Sequence, residues 1–461
     1  MPSRNPREPD ERGAFETIRD QILRGERVPR SPVGPARRLA AEMAIPLSEA
    51  AGVLDRLTAE GYLDRGPGSA CLVSAGALFD AEAEPGTISP IVRTAPFRFD
   101  LIDFRPGVPN TSQFPVRTWK TICAEQWSSV STLDLAYCQP EGRAELRREI
   151  ALSLVSRGIR CQPDQIVITS GSSQALSLAS LVLLRKARTT CLVEDPGSAV
   201  ARRIFSGHGA RIQGVPVDEG GMVTSALPRG ARPAFIHVTP SHQFPTGGTM
   251  PIQRQIELLA FSRAHSTYII EEDLDGDYRY DAPPISTLQG LSPGRVIHIG
   301  TFSMTVFPAL RIGYIVSPPG LVAELRAVRQ DSDTICPSFD QLVLAQFIRD
   351  GHYARHIAKM RKAYAASREL LVKALELHFG TEAQILGAAS GLHLCARFPG
   401  IQFTSTLLNR IDLAGVGVYP VEEHAVTKGR WEDALILGFG MLDARKINTG
   451  MAILKRCLPA T

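Results

Sequence analysis

The chain has 461 residues, 44% hydrophobic and 21% charged, which is enough to bury cores in roughly two to four domains. Its formal net charge of +4 is too small to indicate nucleic-acid binding by itself. The polar N-terminus is unlike a signal peptide, and no apolar run approaches the roughly 20 residues that cross a bilayer. The eight cysteines are scattered, without the spacing of a zinc site or a disulfide framework. Composition therefore favours a cytoplasmic protein with reduced thiols and no membrane partner.

Residues 1–75 have the pattern of a winged helix-turn-helix. Apolar residues recur at helical spacing from Phe15 to Leu23, Gly25 ends that helix, and prolines lead to two further helices over 36–43 and 48–60. Short apolar runs on either side of a glycine-rich turn predict the wing. Residues 76–104 are rich in alanine, glutamate and proline and show little periodicity, so we predict a linker there.

Residues 105–461 alternate short β-rich runs with amphipathic helices. The strand predictions are 165–169, 190–193, 234–238, 268–270 and 296–299. Strands spaced in this way predict an α/β domain with a mostly parallel central sheet and helices on both faces. Functional groups are then expected in loops at the carboxyl ends of those strands.

Four motifs, in this order, resemble the MocR/GabR branch of the GntR superfamily of transcription regulators. They are LTAEGYL at 57–63, TPSHQFPTG at 239–247, IGTFS at 299–303 and FPALR at 307–311. The resemblance covers nearly the whole chain. It implies a GntR-like winged helix-turn-helix fused to a fold-type I aminotransferase-like domain with a small C-terminal α+β subdomain. It also implies DNA and a small-molecule effector as partners, and a homodimer with a head-to-tail, domain-swapped arrangement.

The aminotransferase-like domain of this family binds pyridoxal phosphate (PLP), and part of the implied pocket is a cup for its phosphate. Ser172 and Ser173 follow a strand and Gly171 and open a helix, whose N-terminus favours an anion. A plain helix cap is the alternative interpretation of these residues. Ser303 and Arg311 stand at positions that contact the phosphate in the family, and an arginine suits that role. We therefore expect an anion-binding cup.

The chemical part of the implied pocket departs from the family's pattern. Met304 stands where the family has the lysine that binds PLP covalently. One engineered change would explain Met304 alone, whereas four linked departures from the family's pattern favour a natural loss. Glu272 or Asp273 takes the position of the carboxylate on the pyridine nitrogen, while Leu274 and Ser198 replace two tyrosines. Transamination needs the lysine as covalent anchor and base. We expect no catalytic residues, and PLP or another anionic small molecule bound at most non-covalently.

Two further patterns bear on chemistry. The late strand at 435–439 carries no arginine for a substrate carboxylate. The acidic run at 273–277 departs from a calcium-binding EF-hand, because glycine does not follow the third acidic position and Pro284 stands at the twelfth. We therefore predict no metal site in this run or elsewhere.

The predicted DNA contacts lie in the N-terminal domain. Arg37 and Arg38 open the second helix and are placed to contact phosphate, and the third helix is expected to enter the major groove. Pro46 and Leu47 replace a Ser-Arg pair of the family, and Glu49 replaces a threonine, which predicts reduced or unusual sequence specificity. The full set of predicted contacts is Arg37, Arg38, Ser48, Glu49, Gly68 and Ser69.

Charge in this domain leaves two interpretations open. Residues 1–75 contain 11 arginines and no lysine against 11 acidic residues, so they carry no net charge. Either many arginines pair with neighbouring acids on a solvated surface, or five of them form one basic face that contacts phosphates. The five are Arg24, Arg27, Arg30, Arg37 and Arg38.

The sequence favours a DNA-binding transcriptional regulator whose aminotransferase-like domain senses a small ligand or serves dimerisation. One alternative is a PLP-independent enzyme, for which His242 near Glu272 and Asp273 is the support. The other is a regulatory partner that does not bind DNA and dimerises with an intact paralogue.

Overall fold

A computed structural model describes residues 10–66, 71–74, 101–184, 189–228, 230, 232–281, 286–333 and 337–459. The chain divides into two compact units, Met1–Pro96 and Phe97–Thr461. Within the second unit, Ile102–Asp103 pairs with Val416–Gly417 as a parallel strand, and Phe104 is fully buried. These residues therefore belong to the second unit, so the predicted linker 76–104 extends too far at its C-terminal end.

The first unit is a three-helix bundle with a two-stranded wing. Its helices are α1 (Glu11–Leu23), α2 (Ala36–Met43) and α3 (Leu47–Ala59), and its strands are β1 (Leu63–Arg65) and β2 (Cys71–Val73). Asp10 begins α1, because its carboxylate accepts a hydrogen bond of 2.7 Å from the Gly13 amide. The apolar face of α1 and residues of α3 bury a common core that includes Phe15, Ile18 and Leu57. The three predicted helices and the wing strands are confirmed.

The remaining strands belong to the second unit. They are β3 (Ile102–Asp103), β4 (Ile166–Thr169), β5 (Thr190–Asp195), β6 (Arg211–Asp218), β7 (Gly221–Met222), β8 (Phe235–Val238), β9 (Tyr268–Asp273), β10 (Val296–Thr301), β11 (Gly313–Val316), β12 (Gln384–Leu386), β13 (His393–Arg397), β14 (Val416–Gly417), β15 (Tyr419–Pro420) and β16 (Ala434–Gly438).

The helices of the second unit lie before, between and after these strands. They are α4 (Val116–Ser129), α5 (Ala144–Leu154), α6 (Ser172–Leu183), α7 (Ala199–Gly207), α8 (Ile252–Ala264), α9 (Leu288–Leu291), α10 (Val322–Asp333), α11 (Ser338–Arg349), α12 (His352–Phe379), α13 (Ser405–Leu413) and α14 (Ala444–Cys457). Within the described residues, no helix is both long and apolar enough to cross a membrane.

The central sheet has the strand order β4-β11-β10-β9-β8-β5-β6-β7. Strands β10, β9, β8, β5 and β6 are parallel, whereas β11 is antiparallel to both of its neighbours and β7 is antiparallel to β6. The prediction of a mostly parallel sheet is confirmed. The five strands predicted from sequence begin within one residue of their observed starts, and three of them run further at their carboxyl ends.

Helices cover both faces of this sheet because successive strand residues point to opposite sides. In β5, Val193 packs with α6 and α7, while its neighbour Leu192 packs with α8 on the other face. At the β4 end, α5 and α11 cover that second face. With both faces covered, polar groups of the strands become accessible chiefly at the carboxyl ends.

A smaller subdomain follows the central sheet. Its antiparallel sheet has the order β12-β13-β16-β15, and the long helix α12 packs with α14 against it over a large apolar core. Strand β13 begins at His393, which is buried. The predicted small C-terminal α+β subdomain is therefore present, and its first central strand reaches the region described next.

Candidate functional site

The carboxyl ends of the central strands open into a cavity of about 330 Å³. Parallel strands end at the same edge of the sheet, so residues far apart in sequence meet there. The structure brings together all six residues that the sequence analysis placed in a degenerate cofactor pocket: Ser172, Ser173, Glu272, Ser303, Met304 and Arg311. Ser198 and Leu274 line the same cavity.

One end of the cavity has the features of an anion site. Gly171 precedes α6 with a φ of 94°, a conformation that favours glycine. The Arg311 guanidinium lies against it and donates a hydrogen bond of 2.8 Å to the Ser170 carbonyl. Ser303 Oγ is buried and has no hydrogen-bond partner among the described residues. A helix N-terminus, a guanidinium and an unbonded hydroxyl thus converge, which is a combination suited to a phosphate or carboxylate.

The two candidate carboxylates of β9 have different partners. Glu272 Oε2 lies at hydrogen-bond distance, 3.1 Å, from His237 Nε2. Both side chains are buried. Asp273 instead forms an ion pair with Arg157 and accepts a hydrogen bond of 3.0 Å from the Gly276 amide. Because a guanidinium already neutralises Asp273, Glu272 is the carboxylate better placed to face a ligand in the cavity.

Met304 and Ser198, which the sequence analysis interpreted as replacements, have packing and capping contacts. The Met304 methyl group lies so close to Gly107 that a Cβ added there would be 3.1 Å from it. Ser198 begins α7 by accepting a hydrogen bond of 3.2 Å from the Ala201 amide, so its hydroxyl serves the helix. The described residues that line the cavity include no lysine.

Three imidazoles line another part of the cavity, the histidine wall, and the sequence analysis named one of them. His242 Nδ1 lies 3.1 Å from Asp275 Oδ1, the ring centroid of His393 lies 4.3 Å from that of His242, and His424 completes the wall. Burial raises the pKa of Asp275, but the charge and hydrogen bond of His242 outweigh it and lower that pKa to about 2. Burial lowers the pKa of His393 to about 3. No local motif marks His393 or His424, which reach the cavity from the smaller subdomain.

This arrangement corrects the enzyme alternative. His242 was expected to cluster with Glu272 and Asp273, but its hydrogen-bond partner is Asp275. Glu272 pairs with His237 and Asp273 with Arg157, so the three groups do not form one acid–base unit.

A second cavity of about 420 Å³ lies on the other side of Asp273. Its polar wall is an ion-pair network in which Arg157 binds both Asp273 and Asp277, and Tyr353 donates a hydrogen bond of 3.1 Å to Asp277. In the acidic run, Asp273 and Asp277 thus pair with the Arg157 guanidinium, whereas Asp275 pairs with the His242 imidazole. The Arg157 guanidinium of this cavity is already paired with two carboxylates, so the first cavity is the candidate site for an anionic ligand.

In the first unit, Arg37 and Arg38 are exposed at the start of α2 and form no ion pair among the described residues. Ser48 is exposed and Glu49 half-buried in the first turn of α3. Gly68 and Ser69 lie outside the described residues. Other arginines of this unit pair with acids, as the alternative interpretation proposed: Arg12 with Glu16, Arg19 with Asp20, Arg27 with Glu42, Arg56 with Glu60 and Arg65 with Asp55.

Comparisons with known proteins agree with this architecture. Residues 107–428 match the family model "Aminotransferase class I and II". The chain is 33% identical to the uncharacterised HTH-type transcriptional regulator YhdI of Bacillus subtilis (strain 168), over 94% of this chain and 92% of that protein. It is 30% identical to the probable rhizopine catabolism regulatory protein MocR of Rhizobium meliloti, over 97% and 93%. The chain belongs to the MocR-type transcriptional regulators.

Solved structures similar to this MocR-type chain include aminotransferases. The kynurenine aminotransferase of Pyrococcus horikoshii has a TM-score of 0.72 and 28% identity, covering 78% of this chain and 90% of that one. The α-aminoadipate aminotransferase LysN of Thermus thermophilus has the same TM-score at 26% identity, covering 78% and 92%. Most of this MocR-type chain thus has the fold-type I aminotransferase fold, which is a PLP-binding fold.

The pairing of Glu272 with His237 predicts unequal effects of two substitutions. His237→Ala leaves a buried carboxylate without a partner and should lower the free energy of unfolding by about 1–3 kcal/mol. Glu272→Gln keeps an acceptor for the imidazole and should cost less than about 1 kcal/mol. Urea unfolding of the full chain measures both. A His237→Ala protein as stable as Glu272→Gln would contradict the pairing.

Proposed function

We propose that the protein is a DNA-binding transcriptional regulator of the MocR type whose aminotransferase-like domain binds a small anionic ligand without a covalent bond. Membership in a family of HTH-type regulators supports the first part. The observation that carries the second part is the meeting of Arg311, the α6 N-terminus and Ser303 Oγ in a cavity that also contains Met304.

PLP is one ligand that suits this cavity, because it combines a phosphate with a pyridine nitrogen. Arg311, Ser303 and the α6 amides would hold the phosphate, and Glu272 would face the ring nitrogen. In enzymes, a lysine-linked PLP supplies an electron sink for amino-acid chemistry. Met304 has no amine, so this chain would bind such a ligand reversibly and report its presence.

We propose that the cavity has no catalytic activity. A transaminase needs a basic amine to move a proton, and the described lining offers imidazoles but no lysine. Strand β16 carries no arginine for a substrate carboxylate.

DNA binding is assigned to the first unit. A helix-turn-helix places its second helix in the major groove, and here that helix is α3, with Ser48 and Glu49 in its first turn. Arg37 and Arg38 at the start of α2 are exposed and form no ion pair with a described residue, so they are available for phosphate contacts. Arg27 of the predicted basic face is instead paired with Glu42. Gly68 and Ser69 remain predicted contacts.

A homodimer is part of the proposal, with the head-to-tail arrangement that the family resemblance implies. Leu133, Leu135 and Tyr137 of the second unit are 81%, 64% and 86% exposed within one short segment. Apolar side chains grouped in this way commonly mark a protein–protein interface.

Gly171 tests the anion cup. An alanine Cβ at Gly171 would lie 2.8 Å from Arg311 Nη2 and displace the guanidinium, so Gly171→Ala should weaken PLP binding at least about fivefold. Gly209→Ala is the matched control, because its φ of 85° is equally left-handed but no atom lies within 4 Å of the added Cβ. Both should lose about 1–2 kcal/mol of stability from backbone strain. Equal dissociation constants for PLP in the two variants would exclude the cup.

Met304 tests the covalent question. The natural chain mixed with PLP and then borohydride should retain no pyridoxyl group on a residue of the cavity, because its described lining includes no lysine. Met304→Lys restores one and should retain a pyridoxyl group on residue 304, found by peptide mass spectrometry; Met304→Leu is the control. Covalent labelling of the natural chain at a cavity residue would refute non-covalent binding.

The arginines of α2 test the DNA surface. The double change Arg37→Ala with Arg38→Ala should weaken binding to mixed-sequence duplex DNA and reduce the salt slope by about 2, because two phosphate contacts are lost. Arg12→Ala removes a charge that is already paired with Glu16 at 3.0 Å and should have little effect. Fluorescence anisotropy over a salt series measures both, and an unchanged slope in the double variant would exclude these contacts.

A further inference from the structure

Three side chains on the histidine wall of the first cavity have the spacing of metal ligands. One donor atom each from His242, Asp275 and His393 lies within 4.8 Å of the other two. His242 Nδ1 and Asp275 Oδ1 are 3.1 Å apart. Two ligands of a tetrahedral zinc ion, each at about 2.0–2.2 Å, are separated by about 3.4 Å. This pair therefore has nearly the separation of two ligands of one ion.

His393 supplies a buried nitrogen without a partner. Its side chain is almost completely buried, and Nε2 makes no hydrogen bond among the described residues. The ring donates its other nitrogen's proton to the Pro245 carbonyl, which leaves a lone pair on Nε2. Metal-binding histidines commonly make this backbone bond, because it fixes the tautomer and the ring orientation. An unpaired buried nitrogen is otherwise costly.

Neighbouring backbone holds the other two ligands in place. Asp275 Oδ2 accepts a hydrogen bond of 2.9 Å from the Leu392 amide, which leaves Oδ1 for an ion. Gly391 lies directly on the His242 ring, since an added Cβ would be 1.9 Å from Nδ1. The cluster is thus assembled from three separate loops and strand ends before any ion arrives.

We propose that His242, Asp275 and His393 bind one first-row divalent metal ion of the Zn²⁺ type, replacing the proton between His242 and Asp275. Two imidazoles and a carboxylate suit such ions, whereas Mg²⁺ and Ca²⁺ prefer oxygen ligands alone. All three side chains line the cavity, so a further coordination position faces its interior. Three protein ligands with one open position are typical of sites that exchange a bound molecule, not of closed structural sites.

The open position determines the class of molecule that the ion would accept. A water, or a carboxylate, hydroxyl or amine of a small ligand, would complete the coordination. The metal ligands are separate from Arg311, Ser303 and the α6 N-terminus, so this inference does not rest on the proposed function. An anion cup and a metal ion in one cavity would together select a ligand that carries an anionic group at one end and a metal-coordinating group at the other.

Cobalt is the probe that tests the site. Tag-free full-length protein is stripped with a chelator, dialysed and titrated with Co²⁺, whose visible absorption reports nitrogen and oxygen ligands. We expect one ion per chain, displaced by Zn²⁺. Asp275→Asn and His393→Gln should each weaken binding about tenfold or more. His208→Gln, which alters a histidine hydrogen-bonded to Ser177 outside the cavity, should bind like the natural chain.

Three results would overturn the site. They are less than stoichiometric binding by the natural chain, unchanged affinity in both Asp275→Asn and His393→Gln, or the intense thiolate charge-transfer absorption of cysteine ligands. Circular dichroism confirms folding of each variant, and if one variant is unfolded the other decides. Titration of the folded natural chain decides stoichiometry independently of every variant.

Discussion

The burial of carboxylates at the end of β9 is the constraint on which the rest of the second unit depends. Glu271 and Glu272 are almost completely buried, and Asp273 is nearly so at its side chain. An unpaired buried charge costs several kcal/mol, so each must find its own partner. Glu271 takes His298 of β10 and the amides at the start of α9, Glu272 takes His237 of β8, and Asp273 takes Arg157.

These pairings also define the cavity. Because the partners of Glu271 and Asp273 lie outside it, Glu272 is the carboxylate of β9 that lines the cavity with a single imidazole as its partner. Asp275, just past the strand, bonds instead to His242 and to the smaller subdomain. One short acidic segment therefore connects neighbouring strands, a helix N-terminus and a second sheet. Its electrostatic pairing positions the polar wall on which the ligand proposals depend.

Much of this could be predicted from the sequence, because the signals are local. Strand periodicity located β4, β5, β8, β9 and β10, and the motif residues Ser172, Ser303, Met304 and Arg311 meet at one end of them. Pairing between distant segments could not be predicted in this way. The strand Ile102–Asp103 pairs with residues near the other end of the chain. Its local composition gave no sign of that pairing, so the sequence analysis placed it in a linker. The histidine wall shows the same limit, because His393 and His424 stand in stretches without a motif and only the fold places them beside His242. The sequence analysis rejected a calcium loop because of the residue spacing within one segment, 273–277. The side chains with the spacing of metal ligands in the structure come from three segments.

The hydrogen bond from the Leu392 amide to Asp275 has a mechanical consequence. The same carboxylate contacts His242 in the cavity wall and the residue immediately before β13, so the smaller sheet is anchored at the point where a ligand would arrive. Any occupant that draws Asp275 or His393 inward pulls on the first residues of β13. This one carboxylate therefore joins the proposed ligand site directly to the start of the C-terminal subdomain.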